Sequence, residues 1–173
     1  MVDTNYPLET LIGPLLMARG LKLVVAESCT GGLIGHRLTN IPGSSEYYLG
    51  SITAYAYEVK EALLGVRHTT LEAHGAVSRE TAIEMADGIR RALSGFFPLE
   101  NMIGLSVTGI AGPGGGMAHK PVGLVWIGLS TSRLQQAWQF NWHGNRLQNK
   151  ENTAEKALQL LWDYLEGHAL PAC

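Results

Sequence analysis

The run Leu21-Lys22-Leu23-Val24-Val25-Ala26-Glu27-Ser28-Cys29-Thr30-Gly31-Gly32-Leu33-Ile34-Gly35 decides how this chain folds. Leu21 to Ala26 is short, apolar and rich in β-branched residues, and reads as a buried strand. Small polar residues interrupt it, after which Leu33, Ile34, Arg37, Leu38 and Ile41 recur at helical spacing. A strand, a tight turn and a helix start therefore follow one another, with Ser28 at the mouth of the turn. There the amides of the first helical turn point outward, and Gly31 and Gly32 let a ligand approach without a Cβ in the way. Two readings of Ser28 stand on this stretch alone. It is a nucleophile whose oxyanion is met by the amides of the Cys29 to Gly32 turn, or it is a capping serine in an ordinary strand-to-helix turn.

The chain has 173 residues, 46% of them hydrophobic, enough for one core and too few for two comfortable domains, so a single domain over 1–173 is expected. A formal net charge of −2 and a sequence pI of about 6.3 give no basic field for nucleic acid or an anionic membrane surface. No apolar run approaches the ~20 residues that span a bilayer, and Met1-Val2-Asp3-Thr4 lacks the basic start of a leader, so a cytoplasmic protein is expected. Cys29 and Cys173 form no CxxC pair, and the six histidines have no HExxH or other ligand spacing, so neither a disulfide framework nor a metal site is expected.

Outside the central run, Leu8, Leu11, Ile12, Leu15 and Leu16 mark an amphipathic first helix ended by Gly20, with Pro14 expected to bend or break it. The spacing predicts a helix over 31–41, closed by the turn Pro42-Gly43-Ser44-Ser45. Tyr47 to Ala56 alternates like a second strand, and Glu58 to Leu64 reads as a short helix stopped by Gly65. Lys60 then lies about one turn beyond Tyr55, and both polar tips are expected to face one opening. An irregular link through His68 and His74 leads to a helix capped by Ser78, with Ala82, Met85, Ala86, Ile89 and Leu93 on its core face.

Ile103 to Thr108 is a third strand, followed by the glycine-dense loop Gly109 to Gly116, which fits neither GxxxxGK[ST] nor GxGxxG. Val122 to Ser130 and Gln135 to Trp142 read as an antiparallel hairpin, and a last helix follows Asn145 and Arg146. The expected architecture is α/β: a three-layer α/β/α sandwich around a mixed sheet of about five strands. Ligands in such sheets collect beyond the carboxyl ends of the strands, where Ser28, Tyr55 and Thr108 all fall.

Several motifs carry a resemblance: AESCTGG (26–32), PGSS (42–45), AYAYEVK (54–60), HGAVS (74–78), TGIAGP (108–113), KPVG (120–123), and Gly144 with Arg146. In this order and spacing they closely resemble the CinA C-terminal domain family, over roughly residues 8 to 165. The family includes stand-alone nicotinamide mononucleotide deamidases, so the resemblance implies hydrolysis of that mononucleotide to nicotinate mononucleotide and ammonia, in pyridine nucleotide salvage, without metal or cofactor.

The resemblance implies that Ser28 is the nucleophile, Lys60 the general base and Tyr55 the tyrosine that works with them. Substrate binding is expected from Cys29, Thr30, Gly31, Gly32, Ser44, Thr108, Gly109, Gly112 and Arg146, with Arg146 and the amides of the two glycine-bearing turns on the 5′-phosphate. A homo-oligomer, in its simplest form a dimer, is the expected assembly. Two positions depart from the family pattern: Tyr57 stands where asparagine is usual, and His143-Gly144-Asn145-Arg146 replaces Pro-Gly-Asp-Arg. Many family members also carry an N-terminal domain of the molybdopterin-binding type, associated with pyrophosphatase activity on ADP-ribose. Nothing in these residues resembles it, so only the deamidase-like half is expected.

Overall fold

Alternate residues of Leu23-Val24-Val25-Ala26 belong to two different apolar cores, the arrangement of a strand covered on both faces. In the computed structural model, which describes residues 6–172, this run lies in strand β1 (Lys22–Glu27). The leader reading of Met1 to Thr4 and any role of Cys173 fall outside the described residues.

β1 is the second of five strands in the order β2-β1-β3-β4-β5, with β2 at Tyr48–Thr53, β3 at Met102–Gly109, β4 at Leu124–Ser130 and β5 at Gln135–Asn141. β2, β1 and β3 run parallel, so their carboxyl ends share one edge of the sheet. β4 and β5 return as an antiparallel hairpin, which makes the sheet mixed.

Helices α1 (Leu8–Ala18), α2 (Leu33–Thr39) and α6 (Arg146–Glu166) cover one face. Ile12, Leu16, Ile34, Leu38, Leu158 and Leu161 there meet Leu23, Val25, Leu105 and Ile127. Helices α3 (Tyr57–Leu64), α4 (His68–His74) and α5 (Arg79–Ala92) cover the other, with Leu64, Leu71, Met85 and Ile89 against Val24 and Ala26. The three-layer α/β/α sandwich is the architecture expected from periodicity.

Three local differences have physical causes. α1 runs unbroken through Pro14, which stands on its exposed side, where the carbonyl left without an amide partner can be hydrated. Residues 68–74 form α4 and not an irregular link, because Leu71 and Thr70 bury a face on the second core. β2 ends at Thr53 and not at Ala56, which takes the carbonyls of Ala54 and Tyr55 out of the ladder.

α5 packs closely against both the sheet and α3. A Cβ built on Gly104 of β3 would stand 2.0 Å from the Ala86 carbonyl oxygen, and one on Gly88 would stand 1.7 Å from that of Leu64. Both obstacles are backbone, which cannot rotate away as a side chain tip can. Gly104→Ala and Gly88→Ala are therefore each expected to cost about 3 kcal/mol by overpacking, read as a lowered urea midpoint. A loss below about 0.5 kcal/mol in both would mean that the helix can lift without penalty.

Candidate active site

Glu27, the last residue of β1, is fully buried, and its carboxylate turns under the start of α2. One oxygen accepts from the Thr30 hydroxyl at 2.7 Å and from the amides of Gly32 and Ile34 at 3.0 and 3.1 Å; the other accepts from the Gly35 amide at 2.9 Å. An anion at a helix N-terminus meets the free N–H groups and the positive end of the dipole, which is how this charge is tolerated inside. Gly31 and Gly32, at φ of 64° and 96°, supply the left-handed backbone that brings the chain around the carboxylate.

This turn holds Ser28 still. Its amide continues the ladder to the Val107 carbonyl at 3.0 Å, and its carbonyl accepts from the Gly31 amide at 3.1 Å. The Ser28 side chain faces Lys60 from the first turn of α3, with Nζ 3.1 Å from Oγ. Lys60 is 1% exposed although it belongs to a short surface helix. Its Nζ also donates to the carbonyls of Ala54 at 2.6 Å and Tyr55 at 3.2 Å. Burial pushes the Lys60 pKa down to about 8.

In a neutral amine only two N–H bonds remain. The Ala54 and Tyr55 carbonyls take both, and the lone pair is left pointing at the Ser28 hydroxyl. The early end of β2 thus has a chemical consequence, because it frees the two carbonyls that orient the amine.

Ser28, Cys29, Tyr55 and Lys60 line a cavity of about 290 Å³ together with Tyr57, Gly75 to Val77, Thr108 to Ala111, Gly115, Met117 and Lys120. Of the expected binding residues, Cys29, Thr108 and Gly109 are on its wall. The Thr108 hydroxyl is bound to the Ala76 carbonyl at 2.7 Å, and Gly109 is bare because a Cβ would meet Val125 at 2.5 Å. The buried Cys29 thiol is pushed up to about 12, so it is no thiolate at neutral pH.

Other expectations are corrected. The amides of Gly31 and Gly32 cannot serve an oxyanion, since Ser28 and Glu27 already hold them, and the Thr30 hydroxyl is likewise taken. The amides of Cys29 and Thr30, the other donors of this turn, face the Cys29 sulfur. Ser44 precedes β2 and stands at the opposite end of the sheet; the five steps from Tyr48 to Thr53 alone are ~17 Å.

Tyr55 lies ahead of α3, whose N-cap is Ala56, and lines the same cavity as Lys60. Its ring is 61% exposed, and its phenol accepts from Arg146 Nη2 at 3.0 Å. Arg146 Nη1 donates to the Gly112 carbonyl at 2.6 Å. Arg146 thus joins the Tyr55 connection to the glycine-rich loop and is not on the cavity wall. The substituted Asn145 caps α6, its side chain accepting from the Gln148 amide at 3.1 Å, so the arginine is oriented without the usual acid.

Sequence reasoning missed Glu27 and the 75–77 segment. The signals were an acid ending an apolar strand and the glycine of HGAVS, Gly75, at φ 73°. Tyr57, the aromatic departure, lines the cavity and its hydroxyl accepts from the Ala76 amide at 3.3 Å.

Residues 5–165 match the family described as the CinA C-terminal domain. A CinA-like protein of Chloroherpeton thalassium is 50% identical over 168 residues, covering 95% of this chain and 39% of that protein. A putative competence-damage inducible protein of Halothermothrix orenii is 49% identical over 165 residues, covering 95% of this chain and 38% of that one. The chain thus spans under two fifths of the length of these relatives. Among solved structures, a CinA superfamily protein from Klebsiella pneumoniae superposes with a TM-score of 0.85 at 30% identity, covering 92% of this chain and 96% of that one. A competence/damage inducible protein from Agrobacterium tumefaciens gives 0.78 at 36% identity, covering 96% and 99%.

Glu27→Gln keeps the shape of the side chain but turns an NH2 group toward backbone donors. It is expected to destabilise the chain by about 3 kcal/mol, measured by urea unfolding. An unchanged midpoint would mean that the charge does not hold the turn.

Proposed function

Because the chain belongs to the CinA C-terminal domain family and carries a buried lysine against a serine, we propose that it is a serine-dependent amidohydrolase acting on nicotinamide mononucleotide. The products are nicotinate mononucleotide and ammonia, which makes it a step of pyridine nucleotide salvage. The observation that carries this reading is the 3.1 Å contact between Lys60 Nζ and Ser28 Oγ on the floor of a ligand-sized cavity.

Neutral Lys60 takes the proton of Ser28 as Oγ attacks the carboxamide carbon. The amides of Cys29 and Thr30 meet the oxygen of the tetrahedral intermediate. The C–N bond breaks, Lys60 returns its proton to the leaving nitrogen, and ammonia departs from a Ser28 ester. Water, deprotonated by Lys60, then attacks the ester; the nicotinate carboxyl group leaves and Ser28 regains its proton. No metal is required at any step, and Tyr55 acts through the backbone carbonyl that orients the amine.

The competing reading is a CinA-like nucleotide-binding or adaptor protein in which Tyr57 has ended turnover. The Tyr57 hydroxyl is engaged with Ala76 while the Lys60 contact to Ser28 remains intact beside it, which favours the enzyme.

Ammonia release is to be assayed on nicotinamide mononucleotide, nicotinamide riboside and nicotinamide. No release from any of them supports the binding protein. Ser28→Ala is expected to lower kcat by about 10³-fold or more while the fold is kept; retention of a tenth of wild-type kcat excludes a serine ester.

Lys60 must be neutral to act, so kcat/KM is expected to rise with pH and level off above about pH 8. Lys60→Arg is expected to be as inactive as Lys60→Ala, since guanidinium keeps its proton. A flat pH profile together with an active arginine variant would make Lys60 a fixed charge and not a base.

A further inference from the structure

The cavity above Ser28 opens into a second, larger cleft of about 730 Å³, and the two share Gly75, Val77 and Lys120. Lys120, from the KPVG motif, therefore stands at the neck between them. Its backbone is fixed by paired hydrogen bonds with Met117, at 2.8 and 3.0 Å, across a tight turn of the glycine-rich loop. Its Nζ donates to the His74 carbonyl at 2.5 Å and lies over bare Gly75, where a Cβ would stand only 3.1 Å away.

No carboxylate lines the inner cavity, and its cationic side chains are Lys60 and Lys120. Lys60 directs all its hydrogen bonds to Ser28, Ala54 and Tyr55, so it cannot turn to an anion without leaving Ser28. Lys120 makes one hydrogen bond and, among the described residues, no ion pair; two N–H groups remain. The acids nearby, Glu72 and Glu80, line the outer cleft only, and Glu80 faces His74 Nδ1 at 3.8 Å. Arg146, the phosphate ligand expected from the sequence, is committed to Gly112 and Tyr55 and lines neither cavity.

We propose that Lys120 is the phosphate anchor of this site, holding the phosphate monoester of a ribosyl substrate at the neck while the amide-bearing ring reaches Ser28. The assignment rests on the amidohydrolase reading for the identity of the ring, but not for the anion. A lysine at the neck sets selectivity: substrates with the phosphate are held, and the riboside lacks the contact.

The first test compares kcat/KM for nicotinamide mononucleotide and nicotinamide riboside in wild type, Lys120→Gln and Lys120→Arg. The preference for the mononucleotide is expected to fall at least tenfold in Lys120→Gln and to stay within threefold of wild type in Lys120→Arg. If Lys120 only braced the His74 carbonyl, both substrates would lose alike and the preference would not move, which would overturn the proposal.

The second test needs no turnover and so stands even if the amidase reading fails. Ribose 5-phosphate is titrated calorimetrically into the full chain, and Lys120→Gln is expected to weaken its binding at least tenfold. Absence of binding to wild type, equal affinity in Lys120→Gln, or a larger loss in Arg146→Gln than in Lys120→Gln would each overturn the assignment.

Discussion

The Glu27 carboxylate beneath the first turn of α2 is the contact on which the site's geometry depends. It sits in the interior with both oxygens accepting from donors of residues 30–35. Those donors are the orphan amides of a helix start, which need an acceptor as much as the carboxylate needs donors. Because Glu27 is also the end of a central strand, one residue ties the sheet to the helix. Ser28, the next residue, inherits a position with little freedom. The amides of the turn are divided accordingly: those of Gly32, Ile34 and Gly35 hold the Glu27 carboxylate, and those of Cys29 and Thr30 face the Cys29 sulfur.

The lysine is organised by a different economy. A charged ammonium in this position would be poorly solvated, and burial moves its pKa toward the working range of a base. The two carbonyls that accept from it suit the neutral amine as well as the cation. They fix direction without supplying a carboxylate, which would have held the proton on. Cys29, beside them, is kept a thiol by the same dry surroundings.

Much of this was legible in residue order. The strand, turn and helix around Ser28, the stop at Gly65 and the Ser78 cap are local features, set by side chains that meet within a few positions. The three-layer architecture followed from alternation that buries both sides of β1. What was not legible depends on which strands become neighbours. Lys60 reaches Ser28 because β2 lies beside β1, and Ser44 is remote because parallel pairing sends it to the other end. Family resemblance supplied the pairing of Ser28 with Lys60, but neither the Glu27 turn nor the orientation of Arg146.

The sheet order has a dynamic consequence. β2 lies at an edge, bonded on one side to β1, and most of its residues are partly exposed. The connection that carries Ala54 and Tyr55 hangs from its end and leads into α3, which carries Lys60, whereas Ser28 directly follows the interior strand β1. Edge segments open locally at lower free energy than central ones. Opening β2 would separate the amine from the hydroxyl while the remaining strands stay paired. Amide exchange along β2 is thus expected to report on the Lys60–Ser28 contact, which depends on an edge strand of the sheet.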